Sequence, residues 1–267
     1  MTDLDIVTAS PALIVAKGRI LDLARLVLGL LVAALLPSSL EFLRRRPLAT
    51  WAFIVLYSAY AAFPALPGWK GLAVWIMVAT AGLARTSGAI WKETWRNLTG
   101  QKNLRRPSTW FSDSTRRSIL ILAALLALTV GVYYGTRSLT VAAFLWREDS
   151  FSVILSGFLL AVFAGNLVVV RIVRPYFDGL SPEQRNGGLL HLGTRLGWIE
   201  RALVFVFIAA GQPEAAALAI TVKSLVRVQG NDDPRFGQYV IVGAMSSLLV
   251  AVGAGIVVRI ALGLPAL

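Results

Sequence analysis

Apolar residues run through most of this chain in long unbroken stretches, and the polar positions between them predict where helices start and stop. The apolar stretches cover about 20–36, 48–66, 70–84, 118–136, 151–170, 196–211, 213–228 and 237–260. Pro37-Ser38-Ser39 ends the first, and Arg44, Arg45 and Arg46 precede the second. The apolar turn from Pro64 to Trp69 makes 48–66 and 70–84 a hairpin. A mixed-charge loop over 137–150 contains Trp146, Arg147, Glu148 and Asp149, and turn-forming residues fill Pro175 to Gly188 and Gly230 to Pro234. Because the apolar residues are contiguous and do not alternate, a β-barrel is excluded. The pattern predicts an all-α polytopic integral membrane helical bundle, one transmembrane domain over residues 1–267. It has about eight spans, or seven if residues 1–36 lie along the membrane.

Composition narrows the class. With 57% hydrophobic and 15% charged residues and a mean hydropathy of +0.70, the chain is no ordinary soluble domain. Its net charge of +12 speaks first of anionic lipid and of topology. Placing 37–47, 85–117, 171–201 and 221–236 on the cytoplasmic side gathers most of the 26 lysines and arginines there. Both termini then lie outside; seven spans would put the N-terminus inside. The opening Met-Thr-Asp-Leu-Asp is acidic where a secretory signal is basic, so no cleaved signal peptide is expected.

Candidate chemistry is sparse. There is no cysteine, and the single histidine, His191, falls in an expected loop. No Ser/His/Asp set, G-x-S-x-G, Walker loop or spaced aspartates for metal-dependent lipid chemistry occurs, so neither an enzyme nor a bound cofactor or metal is expected. Asp22 and Arg25, at i, i+3 in the first span, are expected to pair at the interface.

Residues 196–228 set charges inside apolar sequence. Gly211-Gln212 breaks the run, and Pro213-Glu214 has the form of a helix start, which predicts a hairpin of two short helices. Antiparallel arms put Glu200 and Arg201 level with Lys223 and Ser224, near the cytoplasmic face. Glu200 is expected to pair with Lys223, or with Arg227 one turn on, because an unpaired carboxylate at that depth is costly. Such a cluster is either a clamp holding the hairpin closed or part of an ion, proton or ligand pathway.

The segments G-W-I-E-R at 197–201, A-G-Q at 210–212, K-S-L-V-R at 223–227 and F-G-Q-Y at 236–239, with Gly243 and Ser246, carry a resemblance. Over roughly the last quarter of the chain it resembles a bacterial polytopic membrane-protein family known only as a domain of unknown function. The resemblance implies a membrane location and no established activity. The N-terminal H-x-x-x-D-F-x-x-Q type segment of that family has no counterpart here.

Between the spans, 85–117 is a strongly basic cytoplasmic loop. Trp91 and Trp95 recur at helical spacing while Lys92 and Arg96 point elsewhere, and Lys102, Arg105 and Arg106 follow. That pattern predicts an amphipathic helix on the membrane surface, with anionic lipid as its first partner, a docked protein second and nucleic acid last. Small residues every fourth position mark close helix packing: Ala123, Ala127, Gly131, Gly135; Gly157, Ala161, Gly165; Gly243, Ser247, Ala251, Gly255. These ladders pack either within the protomer or between copies in a homo-oligomer or against a membrane partner. Asn166 beside the second ladder is expected to bond between helices. The functional expectation is a structural or accessory component of a bacterial inner membrane, with a small transporter or channel using the Glu200/Lys223/Arg227 cluster as the alternative.

Overall fold

The computed structural model describes residues 11–44, 46–98, 143–179, 189–227 and 234–266, with side chains described over 18–44, 46–87, 143–179, 196–221 and 237–266. Among these residues the structure is helical throughout: α1 Pro11–Ser39, the short α2 Glu41–Arg44, α3 Pro47–Ala65, α4 Trp69–Leu98, α5 Asp149–Leu159, a π-helical turn Leu160–Ala164, α6 Gly165–Asp178, α7 Leu189–Ala209, α8 Pro213–Arg227 and α9 Pro234–Ala261. Four stretches are long and apolar enough to cross a membrane: Gly18–Ser39, Pro47–Ala65, the continuous Asp149–Asp178 and Gly237–Ala261. The expected span 118–136, with its small-residue ladder, lies outside the described residues.

Local sequence explains the helix ends. Pro47 and Pro213 open α3 and α8, where proline's missing N–H is no loss because the first turn has no acceptor for it. Glycines in the left-handed region reverse the chain between α3 and α4 (Gly68, φ 73°) and between α7 and α8 (Gly211, φ 74°). The expected hairpin of α3 and α4 forms, and the Trp75 and Trp51 indole N–H groups donate from one arm to the other, to the carbonyls of Val55 at 2.9 Å and Ala79 at 3.3 Å.

Several boundaries differ from the sequence expectation. Helix α4 runs on without a break to Leu98, so Trp91, Lys92, Trp95 and Arg96 continue its axis. Thirty residues make a rod of about 45 Å. Helix α7 begins at Leu189, not near 196, so His191 is helical and not in a loop. Pro175 likewise falls inside α6, which extends to Asp178.

Helices α1, α3 and α4 pack in sequence, α9 packs along α6 and α7, and α1 joins the two groups by lying against α5 and the π turn. Leu28, Val153, Phe205 and Val258 meet where α1, α5, α7 and α9 converge. The glycine ladders lie in these contacts. A Cβ on Gly157 would collide with Val258, and one on Gly255 would come 2.6 Å from Ile208, so α9 approaches α5 and α7 closely. Large apolar side chains cover the outside as well, among them Leu23, Leu56, Leu218 and Leu249. Apolar surface on the inner and outer faces together is what a lipid solvent accommodates and water does not.

Candidate functional site

Where the described helices meet, the buried charges are arginines, and each ends on backbone carbonyls of another element. Arg201 leaves α7 with 3% of its surface exposed. Its Nε and Nη2 both donate to the Val162 carbonyl, at 3.1 and 2.8 Å, and Nη1 donates to Ser247 Oγ at 3.1 Å. Val162 belongs to the π turn. A π turn shifts the amide–carbonyl register of the helix by one residue, and such turns concentrate at functional sites. Here the guanidinium fork closes on the carbonyl that the wider turn presents, with the Trp198 and Phe163 rings edge to face beside it at 5.3 Å.

The depth of this contact departs from expectation. Val162 lies about 20 Å from the Asp149 end and about 24 Å from the Asp178 end of its helix at 1.5 Å rise per residue, and Ser247 is near the middle of Gly237–Ala261. Arg201 is therefore level with the centre of these helices and not near one face. Two physical reasons account for the difference. The earlier start of α7 carries residue 201 deeper, and α7 packs chiefly on α9, which turns Arg201 away from α8. Glu200, one position back, is half-buried and, at 100° around the helix, faces a different neighbour.

Of the other expected cluster members, Lys223, Ser224 and Arg227 fall on the last turns of α8, with only their backbone described. The same holds for Trp91, Lys92, Trp95 and Arg96 on α4, whereas Lys102, Arg105 and Arg106 lie outside the described residues. The hairpin turn near 212 and the start at Pro213 with Glu214 form as expected.

A second buried arginine was read from the sequence with the wrong partner. Arg25 on α1 is fully buried and forms its ion pair with Asp149 at the start of α5, while Asp22, the expected partner, stands within electrostatic reach of both. Its Nη2 donates to the Tyr60 and Trp146 carbonyls at 2.9 and 2.6 Å, and Nη1 to the Arg147 carbonyl at 3.3 Å. The cation also stands 5.0 Å from the Tyr60 ring centroid, itself edge to face with Trp146 at 5.1 Å. The signal was present in the acidic start of 149 and the lone cation of 25, but 124 residues separate them and spacing alone favoured Asp22. Arg259, which sequence reasoning left unassigned, is the third: Nε donates to the Pro265 carbonyl at 2.6 Å and Nη1 reaches the Ala209 carbonyl at 3.5 Å, at the C-terminal end of α7.

Chemically these groups are donors held against acceptors. Among the described residues no group of three or more His, Cys, Asp or Glu side chains is placed to hold a metal ion. The site geometry and the apolar exterior define a helical protein with stretches able to cross a membrane. No protein-family model, no curated protein and no solved structure matches the chain.

Proposed function

We propose that this chain is a polytopic bacterial inner-membrane protein of about eight spans whose role is structural or accessory, with the basic 85–117 segment facing anionic lipid or a cytoplasmic partner. The observation that carries this reading is Arg201: all three of its bonded nitrogens end on Val162 and Ser247, an arrangement that locks α7 to the π turn and to α9. A guanidinium so held stabilises packing and has little freedom to follow a passing solute. The family resemblance at 197–201 and 223–227 supports the same location and adds no activity. No catalytic role is proposed.

Topology is directly testable because the chain has no cysteine. Single cysteines placed at positions 42, 102, 140 and 183 of the full chain are to be probed with an impermeant thiol reagent in intact cells and in inverted vesicles. Labelling of 42, 102 and 183 only in inverted vesicles, and of 140 only in intact cells, is expected. The opposite or mixed pattern removes the proposed topology. Native mass spectrometry of gently extracted protein then addresses the role: a stoichiometric protein partner supports the accessory reading.

The depth of Arg201 beside a π turn favours one competing reading, a small transporter or channel. Proteoliposomes loaded with a pH-sensitive dye distinguish the two. A proton flux that requires Arg201 or Glu200 overturns the accessory role, and dye-silent vesicles containing correctly inserted protein support it.

A further inference from the structure

Two carboxyl groups meet at the Arg25 end of the bundle. Gly29 on α1 lies against α5, where a Cβ on it would stand 4.0 Å from Ser156 Oγ. Counting back along both helices, that register sets Arg25 level with Ser152 and Asp22 level with Asp149. The Asp22 and Asp149 side chains are hydrogen-bonded to one another, and Asp149 is also the ion-pair partner of Arg25. Asp22 is half-buried and Asp149 keeps 30% exposure, so water reaches the edge of the pair.

An ionised carboxylate only accepts hydrogen bonds. A bond between two carboxyl groups therefore contains a proton, and the neighbouring charge decides which group holds it. Asp149 faces the guanidinium, so it is the carboxylate, and Asp22 is the acid that donates to it. The unused donors agree. Among the described residues the Arg25 Nη atoms have their acceptors, yet the buried Nε has none, and neither has the buried Ser152 Oγ at the same level. A charged Asp22, three residues from Arg25, would draw such donors; a neutral Asp22 turned toward Asp149 leaves them unbonded. Other charges are few. Arg19 and Arg147 are exposed and Glu148 is half-buried, while α9 brings Arg259, held on the Pro265 and Ala209 carbonyls. Helix α3 contributes the Tyr57 and Tyr60 hydroxyls, bonded to Ser156 Oγ at 3.1 Å and to the Leu145 carbonyl at 3.4 Å.

We infer that Asp22 and Asp149 form a proton-binding site, one proton held between a neutral Asp22 and an Asp149 carboxylate that Arg25 anchors. The site goes beyond the accessory reading and does not depend on it. Loss of the proton would set two carboxylates against one guanidinium in a partly buried place and weaken the tie from α1 to α5. Its stabilisation is thus present while the proton is bound and lost as rising pH removes it. Arg25 lies one turn inward of Asp22, and a cation that survives burial opposes onward passage of a proton. The pair therefore binds a proton without conducting it.

The test is thermal unfolding of the detergent-solubilised full chain at about pH 6 and about pH 9, read by tryptophan fluorescence. Wild type is expected to melt about 5 °C lower at the higher pH. Asp22→Asn offers Asp149 an amide N–H in place of the acid proton and has nothing to release, so its Tm should differ by less than about 1 °C between the two conditions. Groups common to both proteins, Glu148 included, cancel in this comparison. Equal pH dependence in wild type and variant overturns the site, as does a wild-type Tm that does not fall. Infrared spectroscopy of wild type carrying isotope-labelled aspartate is independent of how the variant folds. A labelled protonated-carboxyl band at neutral pH, lost on alkalinisation, is expected; absence of that band at neutral pH overturns the site.

Discussion

Replacing Arg25 by alanine is expected to be among the most damaging single changes in the described helices. The side chain is fully buried, so its removal leaves the Tyr60 and Trp146 carbonyls without their cross-element donor and Asp149 without its counter-ion. Breaking a buried pair from one side costs about 3–5 kcal/mol, and a buried acceptor left unsatisfied about 1–3 kcal/mol. Asp149 keeps 30% exposure, so water recovers part of the loss, and the lower end, about 4 kcal/mol, is the expected total. For a chain of this size that corresponds to a fall of about 10 °C in Tm, read by tryptophan fluorescence of detergent-solubilised protein. Arg25→Met with Asp149→Asn removes both charges while keeping volume, and should recover about half of the fall. The reasoning is refuted if Arg25→Ala melts within about 2 °C of wild type, or if the paired variant is less stable than the single one.

Three further outcomes follow from the same contacts. Gly255→Val drives a branched side chain into Ile208, 2.6 Å from where its Cβ must lie, and should cost about 1–3 kcal/mol, seen as a lowered Tm, whereas Gly253→Ala, with nothing within 4 Å, should leave Tm unchanged. Arg201→Lys keeps the charge but loses the fork on Val162, so its Tm should fall nearly as far as that of Arg201→Met; equal stability of Arg201→Lys and wild type would show that charge alone matters. Exchanging Glu200 with Lys223 should be tolerated better than either alanine change if the two residues clamp the hairpin, as read from membrane expression level, and normal expression of both single variants sinks the clamp.

What the sequence made legible was the part of the fold that repeats. Runs of apolar residues located α1, α3, the α5–α6 span and α9, and prolines 47 and 213 marked two helix starts. The ladder Gly243, Ser247, Ala251, Gly255 identified the face of α9 that meets α6 and α7, because small residues at fixed intervals serve only close approach. Partners of the charges were not legible. Local spacing made Asp22 the obvious mate of Arg25, yet Asp149 lies 124 positions away, and the acceptor for Arg201 is a backbone carbonyl with no signature in the residue type. The π turn at Leu160–Ala164 is likewise invisible in L-A-V-F-A, five residues that an α-helix accommodates equally well.

That blind spot has a common physical origin. In an apolar bundle few side chains can accept a proton donor, so a buried arginine turns to the acceptors that every helix contains. An ordinary helical carbonyl is already bonded within its own helix, and the acceptors used here are those where that bonding is altered: the helix end at Ala209, the short turn before Asp149 and the π turn at Val162. Arginine suits this work better than lysine, because its donors are fixed in a plane and its charge survives burial. Each such bond ties two elements distant in sequence at a point where one of them departs from regular helix. The irregularity and the cation therefore need one another: without Arg201 the Val162 carbonyl loses two donors, and without the π turn Arg201 loses the acceptor that holds it at mid-bundle depth.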